Sequence, residues 1–171
     1  MLFIEKIVWL VIITFIPSFE SRLSIPIGLY AGTTTLPIFG ETTGFGLDPL
    51  TVFVVVVVAN IILGPIAYFS YGWIIKTFTK IKPIGNLYHW FSGHVESKRH
   101  LVKKYGIYAI IFFVAMPLPG SGSWGGAFSA RILKIDFKEF MIANIIGVII
   151  AAILVMAIFL GLFSFFGIAV A

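Results

Sequence analysis

A glutamate and an arginine stand in an otherwise apolar or hydroxylated stretch, "FIPSFESRLSIPIGLYAG", at residues 15–32. Glu20 and Arg22 lie between Pro17 and Pro26. A charged side chain at the centre of a bilayer costs about 2.5–3.5 kcal/mol on insertion scales, so at that depth these two must face each other, a partner or water. Arg22 is a permanent cation whose fork suits phosphate or carboxylate, and a desolvated Glu20 could carry a proton. The pair is therefore suited to proton-coupled movement of an anion, unless "ESR" is merely a polar turn at the membrane surface.

A second interrupted stretch is "MPLPGSGSWGG", at residues 116–126. Its prolines and glycines disfavour a continuous helix and predict a break inside an uncharged segment. Ser121 and Ser123 in this stretch suggest a nucleophile, but no histidine at membrane depth could act as the base, and the glycines fit anion-binding amides better. The residues expected to break the two stretches are Pro17, Pro26, Pro117, Pro119, Gly120 and Gly122.

The composition indicates an integral membrane protein. Of 171 residues, 60% are hydrophobic and 11% are charged, whereas soluble domains are roughly 45–50% apolar. Residues 51–75 and 140–165 are long enough to span a bilayer. The segments around the two breaks are too short or too interrupted to do so, which predicts re-entrant hairpins whose broken backbone lies against protein or a water-filled cavity.

The two halves of the chain share a pattern of hairpin followed by span. The words "ANIILG" at 59–64 and "ANIIG" at 143–147 place Asn60 and Asn144 within the two spans. These amides either line a cavity or bond between helices. Inverted repeats with broken helices are typical of secondary transporters, although chance similarity of two Ile-rich words would give the same pattern.

The basic linker between the halves predicts the orientation. Residues 76–104 hold seven basic residues and one acidic residue, and such a loop is expected in the cytoplasm, which places both termini outside. Apolar residues at steps of three and four predict an interfacial amphipathic helix over 86–105, with a solvated linker as the alternative. The net positive charge of the chain comes from this linker, and no nucleic-acid-binding motif accompanies it, so we expect no nucleic-acid partner.

The other polar residues suggest little further chemistry. Arg131 ends an uncharged run but precedes Lys134 by three residues, so it is either a site residue or an interfacial anchor. His89, His94 and His100 share no helical face, and the chain has no cysteine. We therefore expect neither a metal site nor a cofactor.

The two interrupted segments carry a resemblance. "FESRLSIPIGLYAG" and "VAMPLPGSGSWGGAFSARIL" resemble the signatures of the small multidrug export proteins, a family within or beside the DedA superfamily. The resemblance implies two opposed re-entrant hairpins, with Glu20 and Arg22 matching the acid-x-arginine of the first signature and Arg131 matching less closely. DedA relatives are associated with moving polyprenyl phosphates across the bacterial membrane. "PGSGS" is also similar to a loop of undecaprenyl pyrophosphate phosphatases, but this chain lacks that loop's arginine and the paired glutamates.

These observations predict one all-α transmembrane domain over 1–171. Repeat one covers 2–75, the cytoplasmic linker 76–104 and repeat two 105–171, each repeat being a re-entrant hairpin followed by a transmembrane helix. We expect a multi-pass transporter of the cell membrane, not an enzyme, that moves an anionic lipid headgroup such as undecaprenyl phosphate with protons or cations as coupling ion. Export of small amphipathic cations and hydrolysis of lipid pyrophosphates are the alternatives, and a homodimer would shield the breaks from lipid. The predicted substrate-binding residues are Glu20, Arg22, Asn60, Ser121, Ser123, Arg131 and Asn144.

Overall fold

The computed structural model describes residues 2–36, 40–78, 99–118 and 120–165. Most of these residues are helical, as predicted. An exception is a two-stranded antiparallel ribbon with Thr33 opposite Thr43, in a stretch where the sequence predicted no strands. The elements in chain order are α1 Phe3–Phe15, α2 Glu20–Leu29, β1 Thr33–Leu36, β2 Gly40–Thr43, α3 Pro49–Phe78, α4 Arg99–Ala115, α5 Gly122–Ile132 and α6 Phe137–Phe165.

Two helices are long and apolar enough to cross a membrane. Their candidate spans are Pro49–Thr77 in α3 and Phe137–Leu162 in α6, which confirms the two spans predicted from the sequence. The start of α3 is fixed by Asp48, whose Oδ1 accepts a hydrogen bond of 2.9 Å from the backbone N–H of Thr51. A proline follows at the first helical position, where its missing N–H would have no partner in any case.

Two pairs of shorter helices carry the breaks. Helix α1 packs against α2, and α4 packs against α5. The longest of the four, α4, has 17 residues and is about 25 Å long, which is less than the roughly 30 Å of a bilayer core. Helix α1 ends at Phe15 and α2 begins at Glu20, and α4 ends at Ala115 and α5 begins at Gly122, so helices are interrupted in both stretches where the sequence predicted breaks. Re-entry and inversion of the repeats stay predictions.

Pro26 does not interrupt the helix in which it lies, contrary to the prediction. Helix α2 continues through it to Leu29, and the N–H of Tyr30 still donates to the Pro26 carbonyl at 3.0 Å. A proline removes only its own N–H from the helical ladder, and packing against neighbouring helices can compensate for that loss in a membrane protein. Pro119, another predicted break residue, lies outside the described residues.

The chain forms two compact units. The first comprises Met1–Asn60 with Ile149–Ala171, and the second comprises Ile61–Val148. Both have buried apolar cores, with Leu10, Ile25, Leu29, Val52 and Val56 in the first and Leu63, Ile110, Val114, Ala127 and Phe140 in the second. The single domain over 1–171 and its repeat boundaries remain predictions. Most of the linker, with most of the amphipathic helix predicted there and with His89 and His94, lies outside the described residues.

Candidate functional site

Glu20 and Arg22 form an ion pair at the first break. The Glu20 Oε2 lies 3.6 Å from the Arg22 Nη1, and their side chains are only 2% and 12% exposed. A buried ion pair seldom gains enough attraction to offset the loss of hydration of both charges, so it is weak evidence for a purely stabilising role. The sequence predicted that these two charges share one environment, and the structure brings them together.

The backbone at this break is held in an uncommon conformation. Ser18 and Glu20 have φ angles of 72° and 40°, in the left-handed region. Such angles cost roughly 1–2 kcal/mol per non-glycine residue, and they are found where the surrounding structure imposes them, often at functional sites. They place Glu20 in the first turn of α2, where the helix dipole favours a negative charge.

A buried hydroxyl chain connects the break to α1. The Ser24 hydroxyl donates to the Glu20 carbonyl, and the Thr14 Oγ1 lies 2.8 Å from the Ser24 Oγ and 2.7 Å from the Leu10 carbonyl oxygen. Thr14 and Ser24 are fully buried. Neither residue was predicted from the sequence, although hydroxyl side chains within an apolar helical stretch were the signal that could have identified them.

The loop that follows the ribbon completes the other end of α2. The N–H groups of Phe45 and Leu47 donate to the Ile27 and Gly28 carbonyls at 2.8 and 2.9 Å. These bonds satisfy carbonyls that the end of a helix leaves without partners. The Lys6 Nζ donates in turn to the Phe45 carbonyl at 2.5 Å, so α1 also contacts this loop. The loop therefore holds the C-terminal end of α2 in place, while Glu20 lies at the N-terminal end of the same helix, next to the break.

At the second break, a serine hydroxyl hydrogen-bonds the backbone and glycines adopt left-handed conformations. The Ser121 Oγ lies 2.5 Å from the Met116 carbonyl oxygen and 2.8 Å from that of Leu118. Gly120 and Gly122 have φ angles of 81° and 85°, which favour glycine, and the Gly120 carbonyl occupies the space that a Cβ at Gly125 would need. Ser121 thus binds backbone groups that the missing helical turn leaves open, and Ser123 is fully buried in the first turn of α5.

Arg131 lies in the second unit and lines a cavity of about 260 Å³. Its guanidinium carbon is 4.8 Å from the centre of the Tyr68 ring, a cation–π geometry. Neither Ser121, Ser123 nor Asn144 lines this cavity, so it does not unite the candidates predicted in the second half. Tyr68 was not predicted from the sequence, since nothing in the apolar span distinguishes it from its neighbours.

The two predicted asparagines are both buried but differ in their contacts. In the first unit, the Asn60 Nδ2 donates to the Val56 carbonyl of its own helix at 3.0 Å. In the second unit, both polar atoms of the Asn144 amide lack a hydrogen-bond partner among the described residues. That amide lies against Gly64, where a Cβ would come within 2.5 Å of its Nδ2. A glycine in α3 therefore leaves room for the asparagine of α6.

Residues 20–154 match one protein family, described as small multi-drug export proteins. The chain belongs to this family. The match begins at Glu20, directly after the first break, and includes the second break and all seven predicted binding residues, which confirms the resemblance seen in the two interrupted segments. No curated protein and no solved structure gives a significant match. Family and helices together identify a membrane protein of an export family, and the relationship to DedA proteins stays a prediction.

Proposed function

We propose that this small multi-drug export protein translocates an anionic lipid headgroup, such as a polyprenyl phosphate, with Glu20 and Arg22 as its binding pair. The observation that carries the proposal is the buried ion pair at the first break, with 3.6 Å between Oε2 and Nη1. A phosphate would take the Arg22 guanidinium through two parallel hydrogen bonds, a geometry that lysine does not offer. The pair would then open and Glu20 would lose its counter-charge.

Charge conservation at this pair favours an anion. When a singly charged anion binds Arg22, the released Glu20 can take up a proton, and the site keeps the net charge of zero that the ion pair had. When a cation binds Glu20 instead, Arg22 stays charged because guanidinium does not lose its proton in proteins, and an unpaired buried charge remains. Anion binding is thereby linked to proton uptake, which supplies the coupling in this proposal.

Export of small amphipathic cations is the second candidate, and the family description favours it. Purified protein in liposomes separates the two, with a fluorescent short-chain polyprenyl phosphate as one probe and ethidium as the other. For the anion we expect Arg22→Gln to abolish transport and Glu20→Gln to remove its dependence on a proton gradient. Lys138→Gln, which removes an exposed charge from the start of α6, is the matched control and should transport at the wild-type rate.

The ethidium arm gives the opposite result if the substrate is a cation. In that case Arg22→Gln would spare or increase transport of ethidium, while Glu20→Gln would abolish it. Wild-type rates for the phosphate probe in folded Arg22→Gln and Glu20→Gln proteins would refute the lipid proposal.

We also propose that the protein is a transporter and not a phosphatase. The contacts of the Ser121 hydroxyl with two backbone carbonyl oxygens support a role in closing the break. The assay is phosphate release from undecaprenyl pyrophosphate by purified protein, for which we expect none. Release that disappears in Ser121→Ala would instead establish hydrolysis.

The proposed topology is a multi-pass protein of the cell membrane with residues 76–104 in the cytoplasm and both termini outside. Ser21 is 5% exposed and lies between the two charges, and the chain has no cysteine. A single Ser21→Cys therefore reports on this site alone. We expect an impermeant maleimide to label it from outside, through a cavity, and labelling only from the cytoplasm would contradict the outward-facing hairpin.

A further inference from the structure

A polar cavity adjoins the turn that joins α5 to α6. It is lined by Tyr68, Arg131, Lys134, Ile135 and Asp136. We propose that this cavity binds the phosphate group of an anionic lipid at the membrane surface, as a site in its own right. This cavity contains neither Glu20 nor Arg22. Lipid binding here can be measured in the absence of transport, whatever Glu20 and Arg22 do.

Arg131 is held in place for such a ligand by uncharged groups. Its guanidinium lies over the Tyr68 ring and fills the space beside Gly72, where a Cβ would overlap its Nη2. Tyr68 is fixed in turn, since its hydroxyl donates to the Ile135 carbonyl at 2.9 Å. No ion pair joins Arg131 to a carboxylate among the described residues. The positive charge is therefore oriented by aromatic and backbone contacts and remains available to an anion.

Lys134 adds a second cation from a backbone position that favours glycine. The N–H of Ile135 donates to the Ala130 carbonyl at 2.9 Å and that of Lys134 points to the Arg131 carbonyl at 3.4 Å, the bonding pattern of a Schellman motif. Lys134 occupies its left-handed position with φ 55°. Glycine would fit there without strain, so the lysine side chain is kept at an energetic cost, as residues at binding sites often are. Arg131 and Lys134 together outweigh Asp136 by one positive charge.

The position of the cavity along the chain indicates headgroup depth. The stretch 131–139 holds five charged residues, and it leads directly into the apolar span that begins at Phe137. Exposed apolar side chains lie close to this stretch: Phe69, 61% exposed, has its ring centre 5.1 Å from that of Phe137, and Ile142, 52% exposed, follows three residues after Glu139 in α6. Charges at the end of a span, beside exposed aromatic and aliphatic groups, suit a ligand with a phosphate head and acyl chains. Free phosphate would use the head contacts alone.

Thermal unfolding of the purified full chain in a neutral detergent tests the proposal. The probes are dihexanoyl phosphatidic acid, dihexanoyl phosphatidylcholine and inorganic phosphate, each titrated to saturation. We expect phosphatidic acid to raise Tm saturably and the other two to do so weakly or not at all. Loss of one charge-assisted contact should weaken apparent affinity about tenfold in Arg131→Gln, which corresponds to about 1.4 kcal/mol.

Two further variants keep the test independent of folding defects. Lys134→Asn removes the charge but tolerates the left-handed backbone, so it should fold and bind phosphatidic acid several-fold more weakly. Lys138→Gln removes an exposed charge outside the cavity and should bind as the wild type does. Equal shifts in wild type, Arg131→Gln and Lys134→Asn would overturn the site. Inorganic phosphate that binds as tightly as phosphatidic acid would overturn the assignment to a lipid.

Discussion

Removing either partner of the Glu20–Arg22 pair should have unequal consequences for stability. In Glu20→Gln the Arg22 guanidinium keeps its charge at every accessible pH and loses its nearby carboxylate, 3.6 Å away in the wild type. Breaking a buried pair in this way typically destabilises a protein by about 3–5 kcal/mol. We expect that loss in Glu20→Gln, with the same value at pH 5 and pH 7 because arginine does not titrate in this range.

The complementary Arg22→Gln variant leaves a group that can neutralise itself. For an ordinary glutamate, taking up a proton costs about 1.4 kcal/mol for each pH unit above roughly 4.3. The destabilisation of Arg22→Gln is therefore limited to about 1 kcal/mol at pH 5 and about 4 kcal/mol at pH 7. The double variant buries no charge at this pair, so its stability should lie closer to the wild type than that of Glu20→Gln.

Reversible unfolding in mixed detergent micelles, followed by tryptophan fluorescence at pH 5 and pH 7, measures these differences. The expected pattern is a pH-dependent loss in Arg22→Gln, a constant loss in Glu20→Gln and a partial recovery in the double variant. Additivity of the two single changes within about 0.5 kcal/mol would mean that the residues do not interact. Equal, pH-independent losses in both single variants would refute the argument that Glu20 alone can be neutralised.

Two other predictions concern the long helices. A Cβ at Gly147 would lie 2.7 Å from the Val114 Cβ, so Gly147→Ala should lower the unfolding free energy by about 1–3 kcal/mol in the same assay. Gly161 has open space at the corresponding position, and Gly161→Ala should be neutral or stabilising; an equal loss in both would contradict the packing argument. At the start of α3, hydrogen bonds from the side chain and backbone of Thr51 lower the pKa of Asp48 from its ordinary 3.8. Because the pKa of Asp48 is lower in the folded state, its ionised carboxylate stabilises the fold at pH values above the ordinary pKa, and this stabilisation is lost as the pH falls through the folded pKa. The Tm difference between wild type and Asp48→Ala should therefore shrink below about pH 4. A difference that stays constant down to pH 2 would exclude the carboxylate as its cause.

The sequence predicted the spans and the breaks because hydrocarbon selects strongly on composition. An uncharged apolar run long enough to cross a bilayer is typical of a transmembrane helix, and prolines and glycines within such a stretch disfavour an unbroken one. Pro26 shows the limit of that reasoning. Proline removes one N–H, and whether the helix ends there depends on tertiary contacts such as those of Gly28 with Val52 and Leu10, which no local pattern reveals.

The supporting residues of both candidate sites escaped prediction for one physical reason. Thr14, Ser24, Tyr68 and Gly72 act through partners far along the chain or on another helix, so their types are ordinary where they stand. Charges could be singled out because lipid penalises them wherever they occur, whereas a hydroxyl or a glycine carries no such penalty. The sequence therefore identified the charged residues of each site, whereas the contacts that orient those charges are visible only in the three-dimensional structure. The same asymmetry makes the supporting residues informative in experiments: Gly72→Ala would move the Arg131 guanidinium without changing any charge, and phosphatidic acid binding that survives it unchanged would show that orientation is unimportant there.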